Sequence, residues 1–253
     1  MNWFGNYAAR PTVFFAKLLG RKSVVIAGGF DAVCVPEISY GAFCEPRIAR
    51  WTKKVFMRAD RVLAVSNSVR EHLSKHVPGK HVEVVYNAFD PEKYYPKGEK
   101  ENVVLTVGGI DDITIVRKGF RIFARVSRLL PEYEFVHIGR VSKKEFRDEL
   151  LDLGGNNFKM LGFVDDDDVL RWMQKAKVYV QLSAYESFGC ALAEAMLCEC
   201  VPVVCDRGAL PEVVGDTGYY VPYGDVNRTA EAIKIAMSDD AKGELARRRI
   251  IEK

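Results

Sequence analysis

Short runs of apolar, β-branched residues alternate along the chain with longer segments whose apolar positions recur at helical spacing. The near-continuous valine content of these runs is typical of strands that are buried on both faces. The alternation predicts an α/β fold in which a mostly parallel sheet is covered by helices. The predicted strands span residues 24–27, 62–65, 82–85, 103–107, 135–138, 159–161, 178–182, 201–205 and 219–221.

Polar residues mark several helix starts. Ser68 with Glu71, and Ser142 with Glu145, have the spacing of a capping box, in which a hydroxyl and a carboxylate satisfy free amides reciprocally. The acidic run at residues 165–168 is interpreted as a helix N-cap followed by carboxylates that oppose the helix dipole. We prefer this interpretation to a metal site.

A stretch rich in Pro, Gly and charge at residues 94–100 predicts a domain boundary. After it, residues 97–253 contain about six predicted strands, which is enough for a complete doubly wound, Rossmann-like C-terminal domain. Residues 1–96 contain only three predicted strands. We therefore predict a partial N-terminal Rossmann-like domain over residues 1–96.

Charge and terminal composition exclude several classes of protein. The 37 Lys and Arg residues are interspersed with 34 Asp and Glu residues, so no basic stripe indicates nucleic-acid binding. The N-terminus has neither the charge pattern of a signal peptide nor an apolar run of the ~18 residues that a spanning helix needs. We expect a cytoplasmic location, with peripheral contact to the inner face of the membrane left open as an alternative.

The six cysteines give no metal or redox motif. Cys34, Cys190 and Cys205 lie in apolar segments, where a thiol is expected to act as a small hydrophobic group. Cys198 and Cys200 have the wrong spacing for a zinc knuckle or a redox pair. With only four scattered histidines, the sequence predicts no metal site.

The segment after the seventh predicted strand carries the most chemical information. Ligands of open α/β sheets bind at the carboxyl ends of strands, against helix N-termini. A helix is predicted to begin near Phe188, so the amides of Phe188, Gly189 and Cys190 are expected to face an anion, and Gly189 permits its close approach. Glu186 and Glu194 flank these amides, and eight residues span at most ~12 Å along a helix.

This segment is one of several motifs that occur in a characteristic order. Taken together, they resemble glycosyltransferase family four (glycosyl transferases group 1), whose members are retaining enzymes of the GT-B type. The motifs cover nearly the whole chain, at residues 58–66, 86–90, 107–109, 117–119, 137–139, 161–164, 186–194, 202–204 and 208–214.

The resemblance implies a role for each charged residue. Glu186 would hold hydroxyls of the donor sugar, and Glu194 would hold the ribose diol. Arg117 and Lys118 would neutralise the diphosphate as its bond to the sugar breaks, because fixed cations stabilise the charge that the leaving group gains. Glu186, Lys118 and Arg117 are thus the predicted catalytic residues.

The same resemblance implies further donor-binding residues. Besides Glu194, they are Gly108, Gly109, Gly139, Gly162, Phe163, Ser187, Phe188, Gly189 and Cys190. Simpler interpretations stay open: Glu194 as an ordinary helix residue, the Arg117–Lys118 pair as a solvated helix start, and Phe163 as a core residue. His137 is interpreted as a strand residue rather than a catalyst.

As an activity, the resemblance implies transfer of a hexosyl group from a nucleotide-diphosphate sugar to a lipid-linked or saccharide acceptor, with retention of configuration. It implies no cofactor and no metal beyond the donor substrate. Two alternatives are a catalytically weak or inactive nucleotide-sugar-binding subunit that needs a partner, and a nucleotide-sugar epimerase of similar fold.

Some positions depart from the family pattern. Gly109 stands where an Arg is common, and Gly28 and Gly29 replace a His that helps at the sugar. Cys200 replaces a Gly, which we interpret as structural. No Gly-rich loop precedes residue 20, so we expect that the chain lacks the start of the N-terminal domain, and that a missing segment or partner chain would supply it.

Overall fold

The computed structural model describes residues 1–253, which divide into two compact units. Unit 1 comprises residues 1–88 together with 185–188, and unit 2 comprises residues 89–184 and 189–253. Each unit contains one sheet of parallel strands with helices. The predicted α/β class is therefore confirmed.

Unit 1 has a four-stranded parallel sheet in the order β1-β2-β3-β4. Its strands are β1 (Asn2–Trp3), β2 (Val24–Ala27), β3 (Arg61–Ala64) and β4 (Val82–Val84). Its helices are α1 (Ala9–Leu18), α2 (Pro46–Arg58) and α3 (Asn67–His76), with 3-10 turns at Pro36–Ile38 and Ala42–Cys44.

Two features of unit 1 differ from the sequence-based expectation. Strand β1 was not predicted, because it has only two residues and is defined by its pairing with β2 rather than by an apolar run. The capping box at Ser68 was also wrong. Ser66 is the N-cap of α3, and its hydroxyl accepts a hydrogen bond from the amide of Val69 at 3.1 Å.

Unit 2 has a six-stranded parallel sheet in the order β10-β9-β8-β5-β6-β7, as six predicted strands require. Its strands are β5 (Glu101–Val107), β6 (Glu134–Ile138), β7 (Phe158–Gly162), β8 (Ala176–Gln181), β9 (Val201–Cys205) and β10 (Tyr219–Val221). Its helices are α4 (Thr114–Arg117), α5 (Phe120–Leu129), α6 (Lys144–Leu153), α7 (Asp166–Lys175), α8 (Cys190–Leu197), α9 (Leu210–Val214), α10 (Val226–Met237) and α11 (Asp240–Glu252).

The central strands of unit 2 explain its sequence pattern. Every residue of β8 and β9 is buried, which fits the valine-rich runs. The predicted cap of α7 is confirmed, because the Asp165 carboxylate accepts a hydrogen bond from the amide of Asp168 at 2.8 Å. The cap predicted at Ser142 was wrong, because α6 begins after Lys143 and the Ser142 amide instead donates to the carbonyl of Ile110 at 2.9 Å.

Residues 89–96 belong to unit 2, although the sequence placed them before the boundary. The Arg247 guanidinium on α11 donates to the carbonyl oxygens of Tyr94 at 2.9 Å and Pro91 at 3.3 Å. Gln174 on α7 donates to the carbonyl of Tyr95 at 3.1 Å. These side-chain bonds to the backbone attach an otherwise irregular segment to the second unit.

Cysteine chemistry differs from the expectation in two places. Cys34 and Cys44 form a disulfide, so the interpretation of Cys34 as a small hydrophobic group was wrong. The chain between them folds back through an antiparallel bridge from Val35 to Tyr40, which brings the two α-carbons within 4.8 Å. Cys190 is exposed rather than buried, because it opens helix α8.

The three remaining thiols, of Cys198, Cys200 and Cys205, are buried. Burial raises the pKa of the Cys205 thiol to about 12, so this group stays neutral, as expected of a small apolar side chain. No helix combines the length and the apolar character that crossing a membrane requires.

Candidate functional site

Three glycines lie at the carboxyl ends of neighbouring strands in unit 2. Gly108 follows β5, Gly139 follows β6, and Gly162 is the last residue of β7. The amide of Gly139 donates to the carbonyl of Gly162 at 2.8 Å, and the amide of Gly108 donates to the carbonyl of Ile138 at 2.8 Å. The three predicted glycines therefore form one continuous edge, where α/β sheets bind ligands.

Backbone contact explains why glycine is required at the middle of this edge. A β-carbon on Gly139 would overlap the carbonyl oxygen of Gly108 and lie 2.5 Å from its carbonyl carbon. Gly139 also has a φ of +150°, which side chains rarely tolerate. The strand ends consequently meet without side chains between them.

Lys118 lies across this glycine edge. A β-carbon on Gly108 would be 3.1 Å from the Lys118 Nζ and 3.2 Å from its Cδ, so the lysine side chain occupies the space that a larger residue would take. The short helix α4 positions it: the Asp111 carboxylate accepts hydrogen bonds from the amides of Ile113 at 2.9 Å and Thr114 at 2.7 Å. The lysine is half-buried, which strengthens its field at the edge.

The turn at Arg117 and Gly119 packs against the carboxyl end of β8. The amide of Ala184 donates to the carbonyl of Arg117 at 2.7 Å. Gly119 has a φ of +70°, and a β-carbon there would overlap the carbonyl oxygen of Leu182. Because β8 pairs with β5, this turn lies beside residues 182–184, which follow β8.

Helix α8 presents an open N-terminus in unit 2. It begins at Cys190, two residues later than predicted, because Gly189 takes a left-handed φ of +97° at the N-cap. The N-cap residue Gly189 makes no side-chain capping hydrogen bond, and the dipole of a helix N-terminus favours a negative charge. The predicted Gly189 and Cys190 thus lie at a helix terminus, as the anion-site prediction requires.

Glu194 lies one helical turn beyond this terminus and is half-buried. Burial raises the pKa of its carboxyl group, while a hydrogen bond from the Tyr94 hydroxyl and the nearby Lys93 ammonium act in the opposite direction. The Asp166 carboxylate adds to the rise. The side chain is therefore a partly desolvated acceptor held by a neighbour, and not the freely solvated helix residue of the simpler interpretation.

Phe163 is 75% exposed, which contradicts its interpretation as a core residue. The Arg140 guanidinium lies 5.7 Å from the centre of its ring. Gly109 is also exposed, between Gly108 and the buried Ile110. An exposed aromatic ring beside the glycine edge is available for stacking on a planar ligand.

Three predicted site residues belong to unit 1 rather than to the unit that contains the glycine edge. Glu186 is only 9% exposed. Ser187 packs against Gly29, where a β-carbon would lie 2.7 Å from the Ser187 Cβ, and the Phe188 ring is centred 6.1 Å from that of Tyr86. The sequence had placed these residues within the C-terminal domain.

The prediction also missed two contributors. Tyr94 and Arg140 contact Glu194 and Phe163, respectively, across large sequence separations. Each follows a motif that was recognised, but nothing in the local pattern indicates its partner. His137 is a buried strand residue of β6, as interpreted, and its Nε2 lies 2.9 Å from the carbonyl oxygen of Gly108.

Comparison with solved structures supports the architecture. Sucrose-phosphate synthase from Thermosynechococcus elongatus has a TM-score of 0.80 at 20% identity and covers 99% of this chain and 68% of that protein. Alr3699/HepE from Anabaena, solved with UDP and glucose, has a TM-score of 0.78 at 20% identity, covering 96% and 69%. The predicted GT-B type of fold is confirmed by these likenesses.

Relatives of curated function are similar over a large part of the chain. N-acetyl-alpha-D-glucosaminyl L-malate synthase of Bacillus anthracis is 28% identical over an alignment of 224 residues, and the match covers 77% of this chain and 56% of that protein. O-antigen chain mannosyltransferase B of Escherichia coli is 40% identical over 89 residues, which are 35% and 23%. The chain thus spans little more than half of the first of these relatives and less than a quarter of the second.

The family comparison covers both parts of the chain. Residues 38–93 match the family described as glycosyltransferase family 4. Residues 89–253, which include the glycine edge, Lys118, α8 and Glu194, match the family described as glycosyl transferases group 1. This protein belongs to the glycosyl transferases group 1 family.

Proposed function

We propose that this chain takes part in transferring a hexosyl group from a nucleotide-diphosphate sugar to a saccharide or lipid-linked acceptor. One observation carries the proposal: the Lys118 ammonium lies over Gly108, on the same sheet edge as the uncapped N-terminus of α8. A fixed cation and the positive end of a helix dipole are groups that hold a diphosphate.

In the proposed mechanism, Lys118 and Arg117 stabilise the diphosphate while its bond to the anomeric carbon breaks. The leaving oxygen gains negative charge in the transition state, and preorganised cations favour that state over the ground state. No metal is needed for this neutralisation, so the proposed reaction is metal-independent. Activity that is unchanged by excess EDTA is the expected result, and activity lost with EDTA and restored by Mg²⁺ would contradict it.

Glu194 and Phe163 are proposed to hold the nucleoside. A partly desolvated carboxylate accepts strongly from neutral hydroxyls, which suits the two hydroxyls of a ribose. An exposed aromatic ring suits a base. Structures of the Anabaena protein with UDP and with UDP-glucose are consistent with a uridine nucleotide, and a panel of UDP-, GDP- and ADP-sugars would identify the base by its rise in melting temperature.

Glu186 is proposed to hold hydroxyls of the donor sugar, and Ser187, Phe188 and the α8 terminus to complete the donor site. The incoming hydroxyl is proposed to attack with retention, assisted by the leaving diphosphate. The anomeric configuration of the product, read by NMR from its ¹H coupling constants, tests retention. A product of inverted configuration would refute it.

The central experiment compares Lys118→Ala and Glu186→Ala with the unchanged chain in donor hydrolysis and transfer. We expect each variant to lose at least about a hundredfold in activity, since each removes a charged group that acts in the transition state. Lys234→Ala, an exposed lysine on α10, is the matched control for charge. Unchanged rates in both site variants would refute the proposal.

A second outcome of the same experiment has its own meaning. Donor binding by calorimetry without turnover on any acceptor would favour a nucleotide-sugar-binding subunit that requires a partner chain. Addition of a polypeptide that supplies the remaining length of the relatives would then restore turnover.

Peripheral contact to an anionic membrane surface is proposed from one surface of unit 1. Residues 1–58 contain nine Lys or Arg and three Asp or Glu. On α1, Phe14, Phe15 and Leu18 are more than half exposed. A groove of about 420 Å³ combines these aromatic rings with two guanidinium groups; it is lined by Tyr7, Arg10, Pro11, Phe14, Phe15 and Arg58.

Exposed aromatic rings interleaved with cations suit the headgroup region of an anionic bilayer. Cosedimentation with phosphatidylglycerol vesicles should therefore exceed that with phosphatidylcholine, and should fall in Phe14→Ala/Phe15→Ala. Ile235→Ala, an exposed apolar residue on α10, is the control. Equal binding to both vesicles, or none, would contradict the lipid contact.

A further inference from the structure

The buried His137 controls a peptide group at the glycine edge. Its side chain is 1% exposed, and its Nε2 lies 2.9 Å from the carbonyl oxygen of Gly108. Since a carbonyl oxygen only accepts, the imidazole donates through Nε2–H. The other ring nitrogen, Nδ1, has no hydrogen-bond partner.

The Gly108 carbonyl is consequently held toward the protein interior. The amide of Gly108 donates to the carbonyl of Ile138 at 2.8 Å, and Gly139 packs directly against the Gly108 carbonyl group. Phe120 lies edge-on to the imidazole, with ring centres 5.0 Å apart, and fixes its plane. His137 and Gly139 therefore hold the peptide that joins Gly108 to Gly109, and the bond to Ile138 fixes the preceding peptide.

Peptide geometry gives this orientation a consequence at the surface. In a planar trans peptide, the C=O of one residue and the N–H of the next point in opposite directions. With the Gly108 carbonyl directed to the buried His137, the N–H of Gly109 is directed away from the interior. Gly109 is exposed, and its amide donates to no group within the protein.

The outward amide has a cation as its neighbour. Lys118 Nζ lies 3.1 Å from the position that a β-carbon of Gly108 would occupy, one residue away. A free N–H and an ammonium side by side match the oxygens of a phosphate. The absence of a side chain at Gly109 leaves that approach open.

We propose that His137 is a positioning residue for the phosphate site: its hydrogen bond to Gly108 turns the Gly109 amide outward, where the amide and Lys118 together bind a donor phosphate. The inference rests on the proposed function, because it assigns two groups to the same diphosphate. His137 itself does not touch the ligand.

The charge state of His137 suits this role. Burial, with a smaller contribution from the Lys118 ammonium, lowers its pKa to about 4. Lys118 is the charged group that faces the ring, and the other side chain in contact is the aromatic Phe120. The imidazole therefore stays neutral at pH 6–8 and donates one hydrogen bond without repelling Lys118.

The test uses His137→Gln and His137→Leu. The glutamine amide nitrogen reaches the place of the imidazole Nε2 and keeps the donor, whereas leucine fills the space without one. Calorimetry with nucleoside diphosphate should show about tenfold weaker binding for His137→Leu and less than threefold weaker binding for His137→Gln. The reason is that His137→Leu weakens the hydrogen bond from the Gly109 amide to a charged phosphate. Binding of the unphosphorylated nucleoside should be equal in all three proteins.

A spectroscopic measurement separates positioning from general stability. In ¹⁵N–¹H spectra of the unchanged chain, inorganic pyrophosphate should shift the Gly109 amide, and the shift should shrink in His137→Leu. The amide of Gly98, an exposed glycine outside the glycine edge, is the control and should not shift. This readout also applies if His137→Leu folds poorly, since the shift in the unchanged chain alone decides whether Gly109 is used.

The outcomes are distinct. If the unchanged chain binds no nucleoside diphosphate or pyrophosphate, the proposed function fails and this inference fails with it. If Lys118→Ala loses binding while His137→Leu does not, or if the Gly109 amide is unmoved by bound pyrophosphate, only the inference is overturned. The inference is supported if His137→Leu loses nucleoside diphosphate binding, His137→Gln retains it, and bound pyrophosphate shifts the Gly109 amide.

Discussion

Gly139 and Gly108 are in backbone contact at the ends of adjacent strands, where a β-carbon on Gly139 would lie 2.5 Å from the Gly108 carbonyl carbon. The obstructing atoms belong to the Gly108 backbone, which is held by two hydrogen bonds. Its amide donates to the carbonyl of Ile138, and its carbonyl accepts from His137. A side chain at this position therefore has to separate β5 from β6. The contact makes the glycine edge sensitive to a single methyl group.

Gly139→Ala should lower the free energy of unfolding by roughly 3 kcal/mol, because it adds a backbone clash to an unfavourable φ. It should also weaken nucleoside diphosphate binding, because Gly108 and Lys118 shift together. Urea unfolding and calorimetry measure the two effects. Gly162→Ala is the matched control: Gly162 has a φ of +74° but open space around it, so only about 1 kcal/mol is expected. Equal losses in the two variants would contradict the clash.

The regular parts of this fold were accessible from the sequence because burial imposes its pattern locally. Strands β8 and β9 are buried at every residue, and a run such as residues 201–205 shows this without knowledge of neighbours. The Asp165 cap was equally local, since donor and acceptor are three residues apart. These features depend on short stretches of chain.

Contacts between distant segments were not accessible in this way. The need for glycine at Gly139 arises from the register of β5 against β6, and the Cys34–Cys44 disulfide from a loop that folds back on itself. Helix α8 was predicted to begin near Phe188, and its start at Cys190 was not given by the pattern because the left-handed φ of Gly189 has no unique sequence signal. Motif resemblance identified candidate site residues, but not the neighbours that hold them.

Glu194→Gln should stabilise the protein at neutral pH while weakening nucleotide binding. Burial raises the pKa of Glu194 in the folded state, so its ionised form is unfavourable there. The penalty is present above the raised folded pKa and disappears as the pH falls below the ordinary value of about 4.5. Urea unfolding of both proteins at pH 4 and pH 8 measures it.

The gain in the free energy of unfolding from Glu194→Gln is therefore expected at pH 8 and not at pH 4. The hydrogen bond from Tyr94 and the charge of Lys93 reduce it, and Asp166 increases it. Glu244→Gln, at an exposed position on α11, controls for the loss of one negative charge. A gain of equal size at both pH values would show that desolvation of Glu194 is not its cause.

Arg247→Ala should detach residues 89–96 from the second unit. The guanidinium donates to the carbonyl oxygens of Tyr94, Pro91 and Leu197, and an alanine leaves these acceptors without that donor. We expect a loss of roughly 2 kcal/mol in the free energy of unfolding, and faster hydrogen exchange in residues 90–96. Arg248→Ala, at the exposed neighbouring position, is the control, and equal exchange in the two variants would contradict the attachment.

Cys34→Ser/Cys44→Ser should destabilise the region around strand β2. The disulfide closes a loop with a sequence separation of 10 residues, and opening a loop of this length restores conformational entropy to the unfolded chain worth roughly 2–3 kcal/mol. Hydrogen exchange should accelerate in residues 24–44, and urea unfolding should shift accordingly.

Thiol titration in denaturant checks the premise, since six cysteines with one disulfide leave four reactive thiols before reduction and six after it. Cys190→Ser, which removes an exposed thiol, is the control for a sulfur-to-oxygen change. Six reactive thiols before reduction, or unfolding identical to the unchanged chain, would show that the bond does not stabilise this loop.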